Sequence, residues 1–214
     1  MATTVDARLK RDSEEGRIRA LLARLGHVEG LRHGYTVFED VCTGPRTGNF
    51  LEPASGPLMA CSMSVSAVFG IKGEVTEVLR RIEAAAIVRW KSNVNGPGSA
   101  PAGSLDYALE YHRLRGVFPD GLLMPAPYLE SENGAVTISW DYPALPGSPP
   151  AASQVEGKEA PACPPESPIY SQCHIDPLPP QAVPEIRARY GTVLKVEIRP
   201  AIDGGTYLTV PRPR

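Results

Sequence analysis

No stretch of this 214-residue chain approaches the roughly 18 apolar residues of a membrane-crossing helix. Positive charge is not in excess either. The 22 Lys and Arg stand against 24 Asp and Glu, for a net charge of −2. That balance argues against bulk electrostatic binding to nucleic acid or an anionic membrane. Cysteine is scarce: Cys42, Cys61, Cys163 and Cys173 form no C-x-x-C pair. His27, His33, His112 and His174 are equally scattered, so no zinc module can be assembled. Residues 1–16 are polar and mixed in charge, without the apolar stretch of a secretion signal. These absences predict no membrane partner, no cofactor or metal, and a cytoplasmic or virion location. Free thiols are the matching expectation, with a Cys163–Cys173 disulfide as the alternative.

Catalytic signatures are missing as well. The chain has no Ser nucleophile elbow, metal motif or nucleotide fingerprint. Cys173-His174 with Asp176 would set a thiol near a base, but neighbours in sequence rarely point at each other. Asp40, Asp120 and Asp141 are separate acids that nothing in the sequence pairs. An enzyme is therefore disfavoured.

Proline is what the chain has in plenty, and its placement divides the molecule. Of 23 prolines, 12 fall between Tyr142 and Glu185. Each fixes φ and removes a backbone donor, so a run this dense holds neither a helix nor a central strand. The division is an α+β globular body at 1–142, a Pro-rich extended arm at 143–184, and a short helix plus β-hairpin at 185–214. About 40 residues at about 3 Å each would reach on the order of 100 Å if fully extended.

Periodicity supplies the elements. Ile18, Leu21, Leu22 and Leu25 give a helix over 14–25, with Asp12 and Glu15 as a capping box and Gly26 as the stop. A short strand follows at 35–41. Cys61, Met63, Val65, Ala67 and Phe69 alternate with Ser62, Ser64 and Ser66, the mark of a strand with one apolar face. A helix over 74–91 buries Val75, Val78, Leu79, Ile82 and Ala86. Ser104 and Gly116 bracket another. Asn133-Gly134 turns a hairpin whose second strand sets Val136, Ile138, Trp140 and Tyr142 on one side. Pro184 opens a short helix ended by Gly191. Leu194, Val196 and Ile198 then alternate with charged residues, and Leu208 and Val210 return after Asp203-Gly204-Gly205. The fold class is α+β, helices packed on a mainly antiparallel sheet.

Two sets of residues are candidate binding sites. Pro161, Pro164, Pro168, Tyr170, Leu194, Val196, Ile198 and Leu208 would engage protein subunits, self or foreign, because an orphan hairpin is marginal alone and must add to a sheet. Lys158-x-x-Pro161-x-x-Pro164 also fits an SH3-ligand pattern. The second set is Gly70, Lys72, Gly73, Arg80, Arg81, Trp90 and Lys91. Gly70-Ile71-Lys72-Gly73 resembles the G-x-x-G loop of KH RNA-binding domains, although a strand, not a helix, precedes it. That resemblance implies a grip on a nucleic-acid backbone, and basic residues beside an aromatic could stack single strands. The leading expectation is a non-catalytic structural or adaptor subunit of a larger assembly, such as a virus or phage particle. A nucleic-acid-binding module is the alternative, and an enzyme of unknown class the third.

Overall fold

A computed structural model describes residues 2–45, 56–91, 102–143, 155–157, 160–163, 169–199 and 206–212. Among these residues four helices pack on one antiparallel sheet of seven strands, the α+β arrangement that the periodicity predicts. Its centre is a pair of 13-residue strands, β1 (Leu31–Thr43) and β2 (Met59–Ile71). They pair from Leu31 opposite Ile71 to Thr43 opposite Ala60, with one shift of register between His33 and Tyr35. The other strands are β3 (Leu129–Glu130), β4 (Val136–Trp140), β5 (Tyr170–Asp176), β6 (Thr192–Ile198) and β7 (Leu208–Val210). The order across the sheet is β3-β4-β6-β2-β1-β5, with β7 also on β2. Strands from all three compositional segments thus share one sheet.

The helices are α1 (Val5–Gly26), α2 (Val75–Ala84), α3 (Leu105–Leu114) and α4 (Val183–Tyr190). One sheet face carries Phe38, Val65, Phe69, Ile138, Trp140 and Leu194, packed against Ile18, Leu21 and Leu25 of α1 and Val78, Leu79 and Ile82 of α2. Each such side chain, fully buried, contributes about 1.5–3 kcal/mol. The opposite face carries half-buried Ser62, Ser64 and Ser66. There α4 covers one end, where Val183 and Ile186 meet Tyr35, Val37, Val68 and Val193. Glycine makes that approach feasible: a Cβ on Gly34 would lie 2.4 Å from Ile186, and one on Gly70 would lie 2.1 Å from the Tyr190 ring.

Local signals hold where the expected caps form. The Ser104 side chain accepts from Tyr107 N, and Arg115 turns left-handed before Gly116. Gly134 has positive φ in the β3–β4 turn, and Leu129 pairs with Ile138 as a hairpin requires. Glu185 accepts the Ala182 N–H at the start of α4, and Gly191 ends it at φ 84°.

Several expectations fail. Helix α1 starts at Val5, not near Glu14, because Thr4 caps it by accepting from Ala7 N. Helix α2 stops at Ala84, not Lys91. Arg24 donates to the Ala85 and Ala86 carbonyls at 2.9 and 3.0 Å, closing the helix end. The terminal strands do not form a two-stranded hairpin. Strands β6 and β7 lie in line, both antiparallel to β2, with Val65–Ile71 opposite β6 and Met59–Cys61 opposite β7. The cysteines are not free thiols: Cys42–Cys61 and Cys163–Cys173 are both disulfides. Register explains the first, since Cys42 and Cys61 are directly opposed residues of β1 and β2. Among the described residues, no helix is long and apolar enough to cross a membrane.

Candidate functional site

The arm returns to the sheet as β5, which pairs with β1 from Cys42–Tyr170 to Thr36–Asp176. Strand β5 is the last strand on that side. Among the described residues, no backbone hydrogen bond links it to any strand or loop other than β1. Side chains hold it from the helical side. His174 stacks on Phe38 at 4.7 Å, and Arg19 meets the same imidazole at 2.8 Å. The Arg11 guanidinium lies 4.4 Å over the Tyr170 ring. Arg11 is buried and ion-paired with buried Asp40, and it donates to Ala2 O at 3.2 Å. Tyr207 donates to Asp40 at 2.6 Å. Burial first, then that hydrogen bond, pushes the Tyr207 phenol well above its ordinary value. One buried carboxylate thus ties α1, β1 and the residue before β7.

A second carboxylate ties the remaining elements. Asp141 accepts from Arg187 Nε and Nη2 at 2.9 and 3.0 Å, from Val155 N at 2.7 Å and from Val193 N at 3.0 Å. All four of those bonds are charge-assisted. Asp40 and Asp141 were unpaired acids in the sequence; their partners lie 29 and 46 residues away.

Of the residues expected at a partner surface, the structure keeps Tyr170 and Pro161 half-exposed. Leu194, Val196 and Ile198 are 0, 0 and 1% exposed, because β6 sits mid-sheet between β4 and β2. Leu208 is buried against Met59 and Cys61. Those four have no surface to offer a partner. Pro164 and Pro168 lie outside the described residues, as does Lys158 of the SH3-like pattern.

The nucleic-acid set is not brought together as a stacking platform. Gly70 lies within β2 under the Tyr190 ring. Trp90 is 8% exposed and packs in the main core beyond the end of α2, so no base can stack on it. Arg80 pairs with Glu77, Arg81 with Glu29, and Lys91 with Glu130 at 2.7 Å. Lys72 and Gly73 are exposed at the β2–α2 turn, where Gly73 has φ 108°. The Cys173-His174-Asp176 trio is split: Cys173 is a cystine, and alternation sends it to the face opposite His174.

A cleft of about 870 Å³ opens between the start of α2, α3 and the ends of β4 and β6. His112, Arg113, Glu110, Asp141 and Thr192 line it. Most of its charge is committed, since Arg113 bonds Glu110 at 3.0 Å and Asp141 holds Arg187. Trp140 Nε1 donates to His112 Nε2 at 3.0 Å, which leaves the neutral ring's proton on Nδ1. Burial lowers the His112 pKa below 6.5. The neighbouring Tyr111 phenol is pushed up to about 12, by burial first, then by Tyr142 and Tyr107. Across the polar sheet face, burial would raise Glu197, but Lys195 at 2.8 Å and then Arg199 outweigh it and hold the carboxyl below its usual range. No three His, Cys, Asp or Glu side chains are placed to hold a metal among the described residues.

Sequence reasoning found β5 only as part of an arm. Its one local signal is the alternation of Ser171, Cys173 and Ile175 with Gln172 and His174, which the flanking prolines hide. No protein-family model, no curated protein and no solved structure matches this chain.

Proposed function

We propose that this chain is a structural or adaptor subunit of a larger assembly, such as a virus or phage particle, and that it joins a second copy of itself through the outer edge of β5. The observation that carries this reading is an edge strand of seven residues whose outward backbone groups have no partner among the described residues. Such an edge is a template for strand addition. A second copy suits it. Antiparallel pairing about a twofold axis at Cys173 sets Gln172 opposite His174, Ser171 opposite Ile175 and Tyr170 opposite Asp176. No like charges oppose each other, and an isologous contact closes on itself. Two cystines favour an oxidising compartment or a particle surface over the cytosol.

Light-scattering mass across a concentration series, with amide hydrogen exchange, tests this in both the disulfide-bonded and the dithiol-reduced protein. The expected result is a dimer or larger species in at least one state, with residues 170–176 exchanging more slowly than in the dilute monomer. A monomer at every concentration in both states would sink the reading.

A further inference from the structure

One break in the β1–β2 ladder builds a cavity. His33 opposes Phe69 and Tyr35 opposes Val68, so Gly34 is one residue more than β2 can match. Residues three apart on a regular strand face opposite sides. The extra residue, a β-bulge, returns His33 to the helical face that carries Thr36 and Phe38. There His33 Nε2 and Thr36 Oγ1 meet at 2.8 Å, and the imidazole stands edge-on to Phe69 at 5.5 Å. Glycine suits the bulge, because a Cβ on Gly34 would lie 2.4 Å from Ile186.

A cavity of about 260 Å³ results, between the sheet and the last turns of α1. His33, Thr36, Phe38 and Phe69 line it, with Arg19 from α1 and Asp176 from β5. Asp176 reaches it as the β5 partner of Thr36.

The charges around this cavity do not balance. Arg19 is committed: it pairs with Glu15 at 2.6 Å, meets His174 Nε2 at 2.8 Å and lies 4.5 Å over the Phe38 ring. His33 is neutral near pH 7, since burial outweighs the pull of Asp176 and lowers its pKa below 6.5. Asp176 is exposed and has no hydrogen bond or ion pair among the described residues. The C-terminal end of α1 adds partial negative charge. Aromatic walls with one uncommitted carboxylate suit a cation that has an apolar body.

We propose that this cavity binds a small organic ammonium ion. The ammonium group sits against Asp176, and its carbon chain lies along Phe38 and Phe69. At about 30 Å³ of liquid per water, 260 Å³ holds about eight heavy atoms, the size of choline or phenethylamine.

Calorimetric titration of the full chain with each of these two amines, alongside amide chemical-shift mapping, tests the proposal. At least one is expected to bind saturably, with shifts centred on residues 33–38, 69 and 176. Benzoate, an anion of similar size, is expected not to bind. Asp176→Asn should weaken binding about tenfold or more, the cost of losing one charged partner, and Asp176→Glu should restore most of it. Asp12→Asn, on the exposed side of α1, is the charge-matched control and should leave binding unchanged. Failure of both amines to saturate would overturn the site. So would benzoate binding as tightly, shifts centred elsewhere, or equal effects of the two Asn variants. The wild-type comparison of amine with benzoate carries the test should a variant misfold.

Discussion

The two ends of the sheet solve the same problem differently. At the β3 end the outward backbone is occupied. Tyr128 N donates to Ala102 O at 3.2 Å and Glu130 N to Gly103 O at 2.9 Å, while Glu130 O accepts from Lys91 N at 2.8 Å. Trp90 seals that end, paired with Ser131 and buried in the core. At the β5 end a longer strand stands with one neighbour, fastened by side chains and a disulfide. A sheet edge is a hazard that folded chains cover, blunt or use. This molecule covers the short edge with its own backbone, whereas among the described residues no further strand covers the long one.

The largest effect should come from cutting the chain after Tyr142, which keeps the closed end and removes β5, β6 and β7. Because β6 lies between β4 and β2, the remainder is expected to lack a cooperative unfolding transition and to show a disordered circular dichroism spectrum. A folded fragment would break the account of β6 as a central strand. Next, Leu129→Ala, fully buried at the closed end, should cost about 3 kcal/mol in urea unfolding. Ile175→Ala, half-buried at the open end, should cost about 1 kcal/mol. Similar costs would erase the contrast.

Acid should weaken the closed half through His112. Its folded pKa lies below the unfolded 6.5 because burial favours the neutral ring. Stability is therefore full above about 6.5 and falls as pH drops from there toward the folded pKa. Urea midpoints at a series of pH values should show this decline, reduced in His112→Gln. A pH dependence unchanged by that substitution would exclude His112 as its source. The smallest change in stability, within about 0.5 kcal/mol, is expected for Gln172→Lys on exposed β5. Yet a lysine at the edge should weaken self-association measured by sedimentation. If association were unaffected, the contact would lie elsewhere.

Short-range chemistry was legible in the sequence. Ser104, Asn133-Gly134, Pro184 and Gly191 each act within a few residues, and each sits where its local role predicts. The alternation through Cys61–Phe69 marked β2 for the same reason. Long-range pairing was hidden. Leu194, Val196 and Ile198 alternate with Lys195, Glu197 and Arg199 as an edge or terminal hairpin would, and only the neighbours β4 and β2 make them core. The first half of α1 buries Ala7 and Arg11 rather than large apolar residues, so its periodicity carried no signal. Trp90 and Lys91 read as the end of a basic helix, but Arg24 takes the Ala85 and Ala86 carbonyls just past α2. The cysteine spacing of 19 residues means nothing until the β1–β2 register makes Cys42 and Cys61 partners.

Asp141 has an architectural consequence. It accepts the Val155 N–H, 14 residues downstream, while staying fixed to Arg187 and Val193. Both ends of the intervening stretch are therefore fastened at one point of the fold. The loop-closure cost of lengthening such a stretch grows only with the logarithm of its length, about 0.6 kcal/mol for each doubling. Because the closure hangs on one carboxylate, removing it would release Val155, Arg187 and Val193 together.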